Sequence, residues 1–360
     1  MDVDLDKLCI GHDSSIQEAV AQMDVSRIGI VLVVEPDRKL MGAITDGDVR
    51  RAALAQVDLG QPVNTLLVRK AGSPYARPIS APESADRNTL LGLLQQYSVR
   101  HLPLVDGAER VVGLVTLDDF VAEEPLRLQA VIMAGGHGSR LRPLTDDLPK
   151  PMLPVGGQPL MEITLRQLRA AGLKRVHIAV HHRSEKIAEY FGNGEDFGVE
   201  INYVTEDQPL GTAGALGLME KPKETVLLIN GDILTQLDFR AMLAYHREHR
   251  ADLTVAVQRY DTQLPYGLVE CEGTYVRSLV EKPILNFLVN AGIYLLEPPV
   301  YQFIPNGEMF DMTELIQRLL DENRPVAAFP IHEYWLDIGQ AADYQQAQED
   351  LKALRVQPLE

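Results

Sequence analysis

In the C-terminal two thirds of the chain, short apolar runs alternate with stretches whose apolar residues recur every three or four positions. The runs at 128–133, 176–180, 225–229, 253–257 and 291–296 have the length and β-branched content of buried strands, and 160–171 and 239–249 have a helical period. This alternation predicts an α/β fold with a mostly parallel, Rossmann-like sheet wrapped by helices. Ligands are then expected over the carboxyl ends of the strands.

The first third is patterned differently. Residues 28–51 echo residues 99–122 at an offset of 71, and each copy has an apolar strand, a polar turn, a second strand ending Gly-x-[Ile/Val]-Thr and an acidic helix start. Helical patterns at 15–23 and 88–97 precede the copies. A repeat of this size implies two similar units packed on each other in a smaller α+β module. The pattern stops near Glu123, Glu124 and Pro125. The expected domains are therefore 1–123, with repeats at about 1–62 and 68–123, and 127–360.

Composition narrows the function. A chain of 360 residues is long enough for two cores, and 46% hydrophobic with 24% charged residues is ordinary for globular proteins. A net charge of −17 argues against nucleic-acid or anionic-membrane partners, which need a broad basic surface. The N-terminus lacks the pattern of a secretory signal and no run is long enough to span a membrane, so a cytoplasmic location is expected. Cys9 and Cys271 lack metal-ligand spacing and read as packing residues.

Candidate chemistry concentrates in residues 130–162. Ala134, Gly135, Gly136, Gly138 and Ser139 follow the run 128–133 where the chain must turn, and such glycines let main-chain N–H groups approach phosphate oxygens. Arg140 adds a forked cation, and Lys150 is a point charge between Pro149 and Pro151. The set suits a nucleoside triphosphate and its leaving pyrophosphate. Taken alone, the glycines could be no more than a tight connection. The spacing fits neither G-x-G-x-x-G nor a P-loop.

The whole segment, however, resembles the signature of the sugar-1-phosphate nucleotidyltransferases, G-G-x-G-[ST]-R-L-x-P-L-T followed by P-K-P-M-x-P-V. The resemblance implies roles for residues further along. Asp232 in Asn-Gly-Asp and Asp337 in Trp-Leu-Asp-Ile-Gly, 105 positions apart (232 and 337), fall on metal-binding positions and imply Mg2+. Glu206, Gly211 and Thr212 fall on the nucleobase loop, where a carboxylate suits the adjacent N–H donors of guanine and favours GTP. A solvated loop acid is the other reading of Glu206. Glu281 and Lys282, in Glu-Lys-Pro, and Asn290 and Gly292, in Asn-Ala-Gly, match the elements that hold the sugar phosphate. The chain departs from the family at Ala341, where proline is usual; a local change in the turn is expected there, with metal binding kept.

The N-terminal repeats resemble a cystathionine-β-synthase (CBS) pair, a module that often binds adenine nucleotides. Its T-x-x-D element falls on Thr45 with Asp48 and on Thr116 with Asp119, implying an adenine or guanine nucleotide ligand and a regulatory role. The alternative is that these residues are only helix caps. Together the resemblances imply nucleotidyl transfer from an NTP, GTP first, to a sugar 1-phosphate by a homo-oligomer. Family members fused to CBS pairs include glucosamine-1-phosphate guanylyltransferases of legionaminic acid biosynthesis, with mannose 1-phosphate the next candidate sugar. The remaining alternatives are another nucleobase or a non-catalytic nucleotide-sensing or assembly protein.

Overall fold

The computed structural model describes residues 4–353 apart from 27, 74, 121–125, 127, 137, 182 and 183. The chain divides into two compact units, Met1–Glu124 and Pro125–Glu360. Residues Glu123, Glu124 and Pro125, where the sequence pattern changes, lie outside the described residues.

In the first unit the repeat becomes two three-stranded sheets of identical topology. Cys9–Gly11 runs parallel to Ile30–Val34, which pairs antiparallel with Leu40–Thr45. Ala81–Pro82, His101–Val105 and Val111–Thr116 repeat this order. Both copies carry a register shift at the same place, between Val33 and Val34 and between Leu104 and Val105. The copies are joined within the unit by Leu40 N–H to the Glu109 carbonyl and Val111 N–H to the Arg38 carbonyl, each 3.0 Å.

After the T-x-x-D element Asp46–Leu54 is an α-helix; in the second copy Leu117–Asp119 forms a 3₁₀ turn, and residues 121–125 lie outside the described residues.

The second unit is built on a seven-stranded sheet. Its order is Glu200–Thr205, Arg175–Val180, Leu128–Met133, Thr225–Asn230, Ile284–Leu296, Leu253–Gln263, Val326–Ile331. Neighbours are parallel except where Ile284–Leu296 runs against both of its partners. The expected mostly parallel sheet is observed.

Alternate residues of its central strands feed different cores. Ala130, Ile132, Leu227 and Ile229 pack with the helices Leu160–Ala170 and Phe239–Glu248, while Val131, Val226 and Leu228 pack with Met312–Asp321. A sheet covered on both faces requires apolar residues at successive positions, which is why these strands read as continuous runs. Among the described residues no helix is long and apolar enough to cross a membrane.

Candidate active site

The site forms where two neighbouring parallel strands end. Met133 and Asn230 are register partners, and Gly231 N–H donates to the Met133 carbonyl at 2.9 Å. The glycine-rich turn 134–138 and the Asn230-Gly231-Asp232 turn therefore leave the sheet side by side; His137 lies outside the described residues. Two glycines here have close neighbours, and the first needs its glycine for backbone conformation as well. Gly138 has φ +62°, and a side chain there would strike Thr145, whose hydroxyl donates to the Gly138 carbonyl at 2.8 Å. A Cβ on Gly135 would stand 2.9 Å from Glu206 Oε1.

The two aspartates are brought together by a small antiparallel ladder. Ile233–Thr235 pairs with Trp335–Asp337, with Ile233 opposite Asp337, and Ile338 N–H donates to the Asp232 carbonyl at 3.0 Å. Lys150 is buried and its Nζ lies 2.5 Å from Asp232 Oδ2. Asp232 Oδ1 is buried too but has no hydrogen-bond partner. An unpaired buried carboxylate oxygen is costly, and a ligand supplied from outside the chain removes that cost.

Asp337 is pushed above the ordinary carboxylate range, first by partial loss of water and then by the charge of Asp232; Lys150 and Arg140 pull the other way. A carboxylate at 337 raised partly by the charge of its neighbour, beside an orphaned oxygen, fits a hard divalent cation that completes its shell with phosphate and water. Among the described residues no group of three or more His, Cys, Asp or Glu could hold a metal unaided, so any ion here needs ligands beyond such side chains. Arg140 stands exposed in the turn Ser139–Leu141, with Nη1 3.8 Å from where a Gly339 side chain would begin. Ala341 is the first residue of the helix Ala341–Lys352. Proline at that place only presets φ, and here a capping box between Gln340 and Asp343 starts the helix instead.

Glu206 is not a solvated loop acid. It is 6% exposed, its Oε2 accepts from Leu210 N–H at 2.9 Å, and its carbonyl lies 2.8 Å from His181 Nδ1. Burial raises its pKa, against the Leu210 bond and the nearby His181. The loop after it is braced by its own chain. Thr212 N–H and hydroxyl both engage Asp311 Oδ1, and the N–H groups of Ala213 and Gly214 donate to the Phe310 carbonyl. Gly211, at φ +77°, and Gly214 are glycines because the 308–311 segment lies against them. Their close approach is to their own chain, and Thr212 is a structural anchor. Asp311 is the residue that sequence reading missed; its capping-box spacing to Glu314 was the available signal.

On the sugar side, Asn290 Oδ1 accepts from Gly292 N–H at 3.0 Å, and Gly292, at φ +71°, allows Asn230 Nδ2 within 2.7 Å of a would-be Cβ. This loop therefore abuts the Asp232 turn. Glu281 and Lys282 are exposed on the turn between Tyr275–Val280 and Ile284–Leu296, and no hydrogen bond or ion pair joins either side chain to the cluster. Lys282 has φ +47°.

The two T-x-x-D elements differ. At the first, Asp48 Oδ2 accepts from Thr45 N–H (2.9 Å), the Thr45 hydroxyl (3.0 Å) and Lys70 Nζ (2.7 Å), while Oδ1 accepts from Arg51 (2.9 Å). Burial would raise Asp48, but Lys70 and the hydrogen bonds outweigh it and hold the carboxyl below its usual range. Both oxygens of Asp48 are thus engaged within the chain, Oδ2 by three donors and Oδ1 by Arg51. At the second, Thr116 caps with Asp119 Oδ2 alone, and Asp119 is exposed.

A glycine-rich turn beside a two-carboxylate centre at the strand ends of a doubly covered sheet marks an α/β protein of the kind whose ligands sit over the carboxyl ends of its strands. Comparison with known proteins makes this specific. The nucleotidyl transferase family pattern matches residues 129–353, and the chain belongs to that family. The CBS domain pattern matches residues 3–55 and 74–125.

Similar proteins include the UTP–glucose-1-phosphate uridylyltransferase of Synechocystis sp., 34% identical over 241 residues, 61% of this chain and 62% of that protein. The mannose-1-phosphate guanylyltransferase of Mycobacterium tuberculosis is 34% identical over 233 residues, 62% of this chain and 65% of that protein. The chain thus spans less than two thirds of the length of these curated relatives. A solved structure from Bacillus anthracis, provisionally assigned as a glucose-1-phosphate thymidylyltransferase, superposes with a TM-score of 0.52 at 25% identity, over 62% of this chain and 94% of that one.

Proposed function

We propose that the second unit transfers a nucleotidyl group from an NTP, GTP first, to a sugar 1-phosphate, releasing pyrophosphate. The single observation that carries this reading is the convergence of Asp232, Asp337 and Lys150 on the glycine-rich turn, with Asp232 Oδ1 unpaired. A sugar-phosphate oxygen, ionised at neutral pH, attacks the α-phosphorus; the bond from that phosphorus to the bridging oxygen breaks and the electron pair leaves with pyrophosphate. No general base is required, so the work left to the chain is positioning and charge neutralisation.

Turn N–H groups and Arg140 hold the triphosphate, and Lys150 serves it by exchanging Asp232 for a phosphate oxygen. Asp232 and Asp337 would hold Mg2+, which when bound neutralises charge developing on phosphate oxygens. Asn290 and Gly292, with Lys282 and Glu281 brought in by the substrate, would orient the sugar phosphate. Glucosamine 1-phosphate and mannose 1-phosphate are the first sugars to test.

A second reading changes the base. Leu210 N–H already occupies Glu206 Oε2, which leaves one oxygen where guanine offers two adjacent donors. UTP is the candidate this favours, and the uridylyltransferase relative is as similar as the guanylyltransferase. Pyrophosphate release measured across four NTPs and four sugar 1-phosphates, with Mg2+, separates the readings. Release with GTP alone supports the first, release with UTP alone the second, and silence in every combination removes both. The N-terminal unit is read as regulatory, with a nucleotide ribose on Asp119.

A further inference from the structure

Asp311 does more than start a helix. It caps Met312–Asp321 in a box with Glu314, but a cap calls only for backbone donors of its own helix. Its Oδ1 is given instead to Thr212, 99 positions away, accepting from the N–H at 2.9 Å and from the hydroxyl at 3.2 Å. That hydroxyl accepts in turn from Met312 N–H at 2.9 Å, and Phe310 N–H donates to the Leu210 carbonyl at 2.8 Å. Leu210 N–H is the donor to buried Glu206, so the clasp reaches the acid of the nucleobase loop.

From the same segment a second line runs to the sugar side. Phe310 and Met312, which flank Asp311, share a core with Ala213 and Tyr294. Tyr294 lies buried on Ile284–Leu296, the strand that also carries Asn290. Burial pushes its hydroxyl up to about 12, a hydrogen bond with the Asn290 side chain pulls it down, and the Asp311 charge adds to the rise. A bond that favours the phenolate is one donated to the tyrosine oxygen. Asn290 Oδ1 accepts from Gly292 N–H at 3.0 Å, so its amide nitrogen is that donor. The negative charge at Asp311 draws the Tyr294 hydrogen its way and leaves the oxygen lone pairs to Asn290. An amide fixed at both ends presents its second N–H in one direction only.

We propose, on the reading of the site given above, that Asp311 is a positioning residue for both substrates: it fixes the nucleobase loop through Thr212 and, across the Tyr294 hydroxyl, the amide of Asn290 on the sugar-phosphate side. One carboxylate serving two loops leaves a signature. Its loss loosens two ligands, whereas loss of either branch loosens one.

The test is calorimetric titration of the full chain with Mg2+ and the α,β-methylene analogues of the four NTPs, which cannot release pyrophosphate, followed by the four sugar 1-phosphates added to the tightest analogue complex. Asp311→Ser keeps a residue that caps helices but removes the charge and one oxygen. It is expected to weaken both the analogue and the sugar phosphate about 10-fold, with an unchanged circular dichroism spectrum. Thr212→Val is expected to weaken the analogue alone, and Tyr294→Phe the sugar phosphate alone, each by about 5-fold or more. If Asp311→Ser misfolds, Asp311→Asn, which keeps the side-chain shape, must weaken the sugar phosphate as Tyr294→Phe does. Unshifted affinities in Asp311→Ser would show a helix cap and nothing else, and overturn the proposal. So would a loss confined to one ligand, or a Tyr294→Phe variant that binds sugar phosphate normally. A wild type that binds no analogue and no sugar phosphate removes the reading of the site as well, which separates that failure from the others.

Discussion

In each unit a lysine grips an aspartate, Asp48 buried and Asp232 half-buried, and the two pairs are completed differently. Asp48 meets Lys70 at 2.7 Å and Asp232 meets Lys150 at 2.5 Å. Around Asp48 both oxygens are filled from within the chain, by Thr45, Lys70 and Arg51. Around Asp232 one oxygen is left with nothing. A similar ion pair is thus a closed lock in one place and an open socket in the other. The difference lies in the last acceptor, which neither the charge count nor the lysine distance reports.

The contrast is sharpest in what loss of the charge should do. Asp232→Asn is expected to lower turnover by about 10²-fold or more, as for loss of one transition-state stabiliser, with a smaller fall in melting temperature than Asp48→Asn, because the lost Lys150 pair is offset by removing the charge that left Oδ1 unpaired. Pyrophosphate release and a thermal melt on the same sample check it; near-normal turnover would remove the metal assignment.

Asp48→Asn is expected to do the reverse, costing the first unit about 2–3 kcal/mol in urea unfolding with turnover retained, because Lys70 loses its partner in a half-buried place. The pH dependence has a definite sign. Asp48 is held below its usual value in the folded state, so its contribution is present above the unfolded carboxylate pKa of 3.8 and fades as pH falls through the lower folded value. Wild type and variant should therefore converge in acid; a constant gap would show that the charge is not the cause.

Asp119→Ala should cost only about 1 kcal/mol, the worth of an exposed cap, yet weaken nucleotide binding to the first unit more than Asp48→Asn does. Calorimetric titration with adenine and guanine nucleotides reads this, and equal losses would make the two elements equivalent after all. The smallest effect is expected at Glu206. Its folded pKa is raised, so ionisation costs stability that is intact in acid and lost as pH rises toward that folded value. Glu206→Gln should therefore stabilise by about 1 kcal/mol or less at pH 8 and by nothing near pH 4. A gain that persists in acid would point to packing instead.

Where burial on two faces forces continuous apolar runs, the chain announces its architecture: 128–133 is a strand over those very residues, and 160–171 and 239–249 become Leu160–Ala170 and Phe239–Glu248. Residues 259–263 and 268–280 gave no such signal. They are exposed on both faces, so no burial period marks them as strands.

At the site, the order of motifs pointed to Asp232 and Asp337, and the ladder that joins them could not be read from spacing alone. The closing of Asp48 by Lys70, 22 positions away, was equally hidden, because T-x-x-D looks the same whether its carboxylate is free or taken. The glycines at 211–214 illustrate a related point: glycine reports that something comes close without saying what, and residues 308–311 lie against them.

The ladder between Ile233–Thr235 and Trp335–Asp337 also sets a timetable. As the chain is made from its N-terminus, the first unit, the glycine-rich turn and Asp232 all emerge before Asp337 does. A growing or prematurely halted polypeptide that stops short of residue 335 can have most of its sheet in place and still hold only one of the two carboxylates. The proposed two-carboxylate centre can therefore be complete only once nearly the full described length has been made.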